Sequence, residues 1–270
     1  SIAAFRRAYD VAPSKVQPMV TLVRSYLLAG KAGEAMDFLG SVIQASPENV
    51  TALLLLGELQ AANGDSAEAV QGFERVIDLQ PQNTAGYTNL ANLRMREGHT
   101  DAAEQVIGRG LLAVPGNFDL LMAQASIYEV SRRFEEAIAA YEALFKTYPG
   151  SDVVVNNLAS LLSEHRTDQA SLLRAYEMTQ RFSRSDAPYF KDTLGWASYR
   201  LGKFDEGLPL LESAVRQMPG QPIFRYHLGM SYAALNRKEL ARQELEKARE
   251  LSQGDNQQST EQIRRALEGL

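Results

Sequence analysis

The side chains best suited to proton transfer or metal ligation are three histidines, His99, His165 and His227, in a chain of 270 residues without cysteine. His99 and His165 fall in short turns far apart in the chain, and neither has a second ligand at metal-binding spacing. His227 falls on the inward side of a helix, one turn from Asp192 when the periodic segments of the chain are aligned, which predicts a His/Asp pair. Such a pair does general-base work only beside a nucleophile, and no candidate accompanies it, so it reads as a hydrogen-bonded structural pair. The lack of cysteine also removes thiolate chemistry, disulfides and cysteine metal sites. The glycines are spaced along the chain and do not cluster as a phosphate-binding loop requires. Carboxylates such as Glu135, Glu136, Glu244 and Glu246 are expected on solvent-facing helix surfaces. The residues therefore predict no catalytic group, metal or cofactor, and a chain that is not an enzyme.

What must position these side chains is a repeat. Pro13, Pro47, Pro81, Pro115 and Pro149 stand a constant 34 residues apart. The next proline in phase, Pro219, lies 70 residues beyond Pro149, which is two such periods plus a two-residue insertion between Ser163 and Pro188. Gly30, Gly64, Gly98 and Gly202 occupy one place in their periods, just after an apolar helical pattern stops, where a left-handed residue closes a helix. Asn236 is the usual substitute there, whereas Arg132 and Arg166 depart from the pattern and predict differently built turns. The second half of each period carries apolar residues at helical spacing, as in Ala69, Val70, Phe73, Val76 and Ile77. One small residue per period, at 57, 91, 125, 159, 195 and 229, marks where two helices approach closely.

Within each period the same residue types recur: Leu56-Gly57, Ala69, Phe73 and Pro81; Ala125, Tyr128, Ala137, Tyr141 and Pro149; Leu228-Gly229, Tyr232, Ala241 and Leu245. This resembles the tetratricopeptide repeat pattern over nearly the whole chain. The resemblance implies an all-α fold, a right-handed α-α superhelix of about seven helix-turn-helix repeats starting near Val16, Val50, Thr84, Phe118, Asp152, Pro188 and Pro222. Residues 1–15 match only a second helix, so the array is expected to begin mid-repeat in a longer protein; residues 16–253 hold the repeats, and residues 254–270 are expected to form a capping helix, entered through a Ser259/Gln262 capping box. Residues 192–196, 226–230 and 241–245 also resemble the closing repeats of bacterial lipoproteins of exosortase (PEP-CTERM) exopolysaccharide systems. That likeness implies a periplasmic or outer-membrane location, through an N-terminal lipid outside this sequence, ahead of a cytoplasmic one.

In tetratricopeptide arrays the first helices line the concave surface, so the resemblance implies that partners are met there. In the repeats at Pro188 and Pro222 those positions include Tyr189, Asp192, Trp196, Tyr199, Arg200, Tyr226 and Met230, rich in the types that anchor interfaces. Packing against neighbouring helices is the competing role for Trp196 and Tyr199. A second, polar patch comprises Asn89, Asn92, Arg96 and Asn156, whose carboxamides suit a peptide backbone. Gln17, Val20 and Leu55 stand where a chaperone-tail carboxylate clamp needs cations and amides, which disfavours that ligand. The net charge of −5, from 28 basic and 33 acidic residues without a basic stripe, disfavours nucleic acid, and no apolar run is long enough for membrane insertion. The expected function is a protein-interaction scaffold holding a peptide or helix of a partner in its concave groove, in bacterial envelope or exopolysaccharide export or surface-protein assembly; the alternatives are a substrate-selecting accessory region of a larger enzyme such as a glycosyltransferase, and a self-associating array.

Overall fold

The computed structural model describes all residues except Ser14, residues 253–256 and the side chains of residues 257–259. Two compact units divide the chain, Ser1–Arg133 and Phe134–Leu270. Among the described residues both are wholly helical. Unit 1 contains α1 (Ile2–Val11), α2 (Val16–Leu28), α3 (Ala32–Ala45), α4 (Val50–Asn63), α5 (Ser66–Leu79), α6 (Thr84–Arg96), α7 (Thr100–Ala113) and α8 (Phe118–Val130). Unit 2 contains α9 (Phe134–Thr147), α10 (Asp152–His165), α11 (Gln169–Thr179), α12 (Pro188–Arg200), α13 (Phe204–Gln217), α14 (Pro222–Ala234), α15 (Lys238–Leu251) and α16 (Gln257–Glu268).

The helices pack as hairpins because their apolar faces match at a fixed offset. Gly57 lies against Phe73, Gly195 against Leu211 and Gly229 against Leu245, in each case 16 residues on; a Cβ at any of the three would stand 2.7 Å from the opposing side chain. First helices also touch the next first helix, α4 with α6 and α6 with α8 in unit 1, α10 with α12 and α12 with α14 in unit 2. Met19, Leu22, Phe38 and Leu39 fill one core of unit 1, and Phe73, Tyr87, Leu90 and Ile107 the next. Leu211, Phe224 and Leu228 do the same in unit 2.

The helix ends follow local chemistry. Asn49, Asn117, Ser151 and Asp168 accept a backbone N–H from the first turn of the helix that follows each. α12 and α14 start instead with proline, whose fixed φ suits the first helical position. Gly64 takes φ 94° and Asn236 φ 57° at helix ends. Arg132 departs from expectation by keeping the ordinary turn, at φ 61°, whereas Arg166 is extended, at φ −109° and ψ 149°. A left-handed arginine costs roughly 1 kcal/mol or more, and the Arg132 backbone N–H bonds the Glu129 carbonyl, as the closing turn requires.

The insertion divides in two. α10 and α11 start 17 residues apart where α12 and α13 start 16 apart, and α11 to α12 spans 19 where α13 to α14 spans 18. α11 is accordingly short and passes into a 3-10 turn, Gln180–Phe182, which buries Phe182 stacked on Phe190 at 4.3 Å. α16 begins at Gln257, ahead of Ser259, and the side chain assigned to the capping box lies outside the described residues. Ile263 of α16 is buried against Leu245 and Ala248 of α15.

Candidate functional site

The densest polar and aromatic assembly lies in unit 2, on the first helices α10, α12 and α14. Asp192 and Trp196 are four residues apart on α12 and share a face; both are 5% exposed. His227 of α14 sits between two carboxylates, with Nδ1 2.9 Å from Asp192 Oδ2 and Nε2 2.9 Å from Glu164 Oε1 of α10. The indole of Trp196 lies nearly parallel to the His227 imidazole, 4.1 Å between centroids, and to the Tyr199 ring at 4.6 Å. Arg200, one turn beyond Trp196, donates to the carbonyls of Ser163 and Arg166 at the end of α10, the latter at 2.8 Å. Three consecutive first helices are thereby tied through these side chains.

The electrostatics follow from that geometry. Burial opposes the imidazolium of His227, yet the charges and hydrogen bonds of Asp192 and Glu164 push its pKa up to about 9. Both ring nitrogens therefore donate at neutral pH. Burial likewise opposes an ionised Glu164, but the hydrogen bond and charge of His227, with His165 and Arg200, hold it below the usual carboxylate range. Burial dominates at Asp192 and pushes it up, against the opposing pull of His227. Asp192 Oδ1, Trp196 Nε1, Ser163 Oγ and Ser231 Oγ are buried without a hydrogen-bond partner among the described residues. Both nitrogens of His227 are occupied by carboxylates from two other first helices, so the cluster ties these helices together. Among the described residues no group of side chains is arranged to hold a metal ion.

The structure thus brings Asp192, Trp196, Tyr199, Arg200 and Tyr226 together. Tyr226 is half-buried, its ring 6.0 Å from that of Trp196, and it also packs against the α15–α16 cluster around Ile263. Met230 is half-buried one turn further along α14. Tyr189 stands apart at the start of α12, half exposed, its ring roughly perpendicular to that of Phe224 with 5.3 Å between centroids. Glu164 was not legible as a member, because its link to His227 spans 63 residues and two repeats.

The polar residues are distributed differently. In unit 1, Asn89 donates to Glu58 at 2.8 Å, and Asn92 lines an open groove of about 410 Å³ with Thr84, Ala85, Thr88, Phe118 and Met122. Arg96 is exposed at the end of α6. Asn156 is in unit 2 and already engaged, accepting from Thr193 Oγ1 at 2.8 Å and donating to Asn157. Glu244 is not free in solvent as charge patterning implied; it is half-buried and ion-paired with Arg225. Among the described residues no helix is long and apolar enough to cross a membrane.

Residues 39–155 match the tetratricopeptide domain of cytochrome c-type biogenesis protein H, and residues 193–256 match a general tetratricopeptide repeat family. Neither description concerns the exosortase-linked lipoproteins, so residues 188–250 are matched at the level of the repeat. No curated protein matches the chain by sequence. Among solved structures, a tetratricopeptide repeat protein from Parabacteroides merdae is similar with a TM-score of 0.64 at 17% identity, over 93% of this chain and 97% of that one. The APC/C hetero-tetramer Cut9-Hcn1 is similar with a TM-score of 0.69 at 14% identity, over 98% of this chain and 52% of that one. Yeast Tom70 gives 0.57 at 16% identity, over 99% of this chain and 57% of that one. The chain therefore spans about half the length of the last two, and at these identities the likeness is one of fold. With repeat matches in both units and paired helices throughout the described residues, the chain is a tetratricopeptide-repeat protein.

Proposed function

We propose that the chain is a protein-interaction scaffold whose first-helix face in unit 2 docks a peptide or helix of a partner. The observation that carries this reading is the layering of that face. A rigid floor, Trp196 stacked on His227 and held by Asp192 and Glu164, underlies Tyr199 and Tyr226. Both phenols are half-buried and neither hydroxyl has a partner among the described residues. Tyrosines with fixed rings and unengaged hydroxyls offer contact area and polar specificity at small entropic cost. In this reading Trp196 and Asp192 act through the residues they support, while Tyr199, Arg200, Tyr226, Met230 and Tyr189 meet the partner. Asn92 and Arg96, at the open groove of unit 1, offer a second, polar contact area.

We place the scaffold in the assembly or export of other molecules. The biogenesis description of the domain matching residues 39–155, and the likeness of residues 188–250 to envelope lipoprotein repeats, support that setting. The test is photo-crosslinking from residue 230 in the full chain within native extract. A defined partner is expected to crosslink to wild type and to be lost from a Tyr199→Ala/Tyr226→Ala variant of unchanged helicity. Equal capture by both proteins would remove the site from this face.

A further inference from the structure

α16 (Gln257–Glu268) starts about one period after α14 and lies where the next first helix belongs, against α15. The first helices α4, α6, α12 and α14 each pack between two second helices, whereas α16 packs on one, α15. Ile263 is 3% exposed and sits on Leu245 and Ala248 of α15, both fully buried. Half-buried Ala266, Leu267 and Leu270 complete the contact, together with Tyr226 of α14. Ile263, Ala266, Leu267 and Leu270 stand at i, i+3, i+4 and i+7 and form one stripe. Gln257 to Gln262 add no apolar residue to it.

The charges of α16 are spent inside the helix: Glu261 pairs with Arg264 and Arg265, and Arg264 with Glu268. Beyond the stripe, Lys238 Nζ at the start of α15 donates to the Leu270 carbonyl at 2.6 Å, from an exposed position. An isolated helix of about a dozen residues is marginal in water, so α16 is ordered by its seat and melts when it leaves. A segment held by one buried side chain opens at less cost than the hairpins beside it.

Resting on the scaffold reading above, we propose that α16 is an autoinhibitory strap, which holds the seat made by Leu245, Ala248 and Tyr226 and gives way there to an amphipathic helix of the partner. Tyr226 couples the two roles. Its ring packs with the apolar stripe of α16 and also stands 6.0 Å from that of Trp196, in the floor of the partner-binding face. A partner that reaches Tyr226 competes with α16 for one surface, and its apparent affinity is reduced by the fraction of chains in which α16 is seated. The helix already in the seat specifies its rival: a branched apolar residue to meet Leu245 and Ala248, a small one three positions on, and leucines at the fourth and seventh.

Hydrogen exchange on the full wild-type chain tests the opening. Amides of residues 263–268 are expected to exchange about tenfold faster or more than those of α14 and α15. Equal protection would mean that α16 leaves only when unit 2 unfolds, and overturns the proposal. The probe for the seat is a fluorescein-labelled peptide of residues 257–270, titrated by anisotropy against the wild-type chain and against an Ile263→Asp variant, whose own α16 loses its buried contact. Binding about tenfold tighter or more to the variant is expected. Equal binding to both chains, or binding to neither, overturns the proposal. Dimerisation of the wild type that Ile263→Asp abolishes would assign the seat to a second copy, and overturns it too. Photo-crosslinking from residue 230 separates the strap from the reading it rests on: capture of the cellular partner should rise in Ile263→Asp. Capture unchanged there, yet lost from Tyr199→Ala/Tyr226→Ala, leaves the scaffold reading standing and removes the strap.

Discussion

Units 1 and 2 are built on one period and differ in what their first helices bury. Every buried polar or charged side chain among the described residues belongs to unit 2, including Asp192, Thr193, Ser198, His227 and Ser231. Unit 1 buries only apolar side chains and glycines on these helices and leaves its amides, Asn89 and Asn92, toward solvent. The repeat needs only its small and large apolar positions to pair helices. The other first-helix positions are free to diverge, and unit 2 spends them on an ion cluster that locks three repeats in register. A buried cluster of this kind contributes specificity of arrangement more than net stability, since desolvation of the charges offsets much of their attraction.

The comparison is broken most sharply at Asp192. Asp192→Ala leaves the buried imidazolium with one carboxylate and is expected to destabilise unit 2 by about 3–5 kcal/mol. Asn89→Ala, which removes an exposed bond to Glu58 in unit 1, should cost about 1 kcal/mol or less. Urea unfolding followed by Trp196 fluorescence reads unit 2, because the chain has no other tryptophan, and urea unfolding followed by circular dichroism reads the Asn89→Ala chain; similar costs for both variants would mean that the cluster does not lock unit 2.

A pH titration gives the next largest contrast. The folded pKa of His227, about 9, lies above its unfolded value near 6.5, so its contribution is fully present below pH 6.5 and is lost as pH rises through about 9. The urea midpoint of unit 2 should fall between pH 7 and 9.5, and His227→Gln should flatten that fall. A wild-type midpoint indifferent to pH over this window would contradict a protonated His227.

Glycine substitutions sharpen the contrast at intermediate scale. A Cβ at Gly207 of α13 would lie 2.6 Å from the Gly195 carbonyl oxygen, so Gly207→Ala forces two backbones apart and should cost about 1–3 kcal/mol. A Cβ at Gly40 of α3 would meet nothing within 4 Å beyond its own helix, and Gly40→Ala should stabilise unit 1 by roughly 0.5–1 kcal/mol through helix propensity. Circular-dichroism melts of the two variants check both signs.

The smallest effects are those in which the units agree. Arg109 on Glu74 in unit 1 and Arg174 on Glu142 in unit 2 are partly exposed, two-pronged pairs bridging successive second helices. Arg109→Ala and Arg174→Ala should each cost at most about 1 kcal/mol, less in high salt. A cost of several kcal/mol at either would show that second helices, too, are held by ions.

By itself the sequence determined the helices. First helices start at Val16, Val50, Thr84, Phe118, Asp152, Pro188 and Pro222, in step with the proline period and, for Pro188, with its two-residue insertion. That information is local: a turn every 34 residues, a small residue facing a large one 16 positions later, apolar residues on one face. Only the tertiary structure decided the site. Trp196 had the composition of an anchor but is buried between rings, Arg132 adopts a glycine's backbone, and Glu164 reaches His227 across an intervening helix. Val153, Tyr189 and Ile223 recur in phase and stand exposed, yet nothing in their type distinguishes an apolar side chain that packs from one left in water. Burial is a property of neighbours two repeats away, and a periodic pattern specifies which residues face a neighbour without specifying what the neighbour brings.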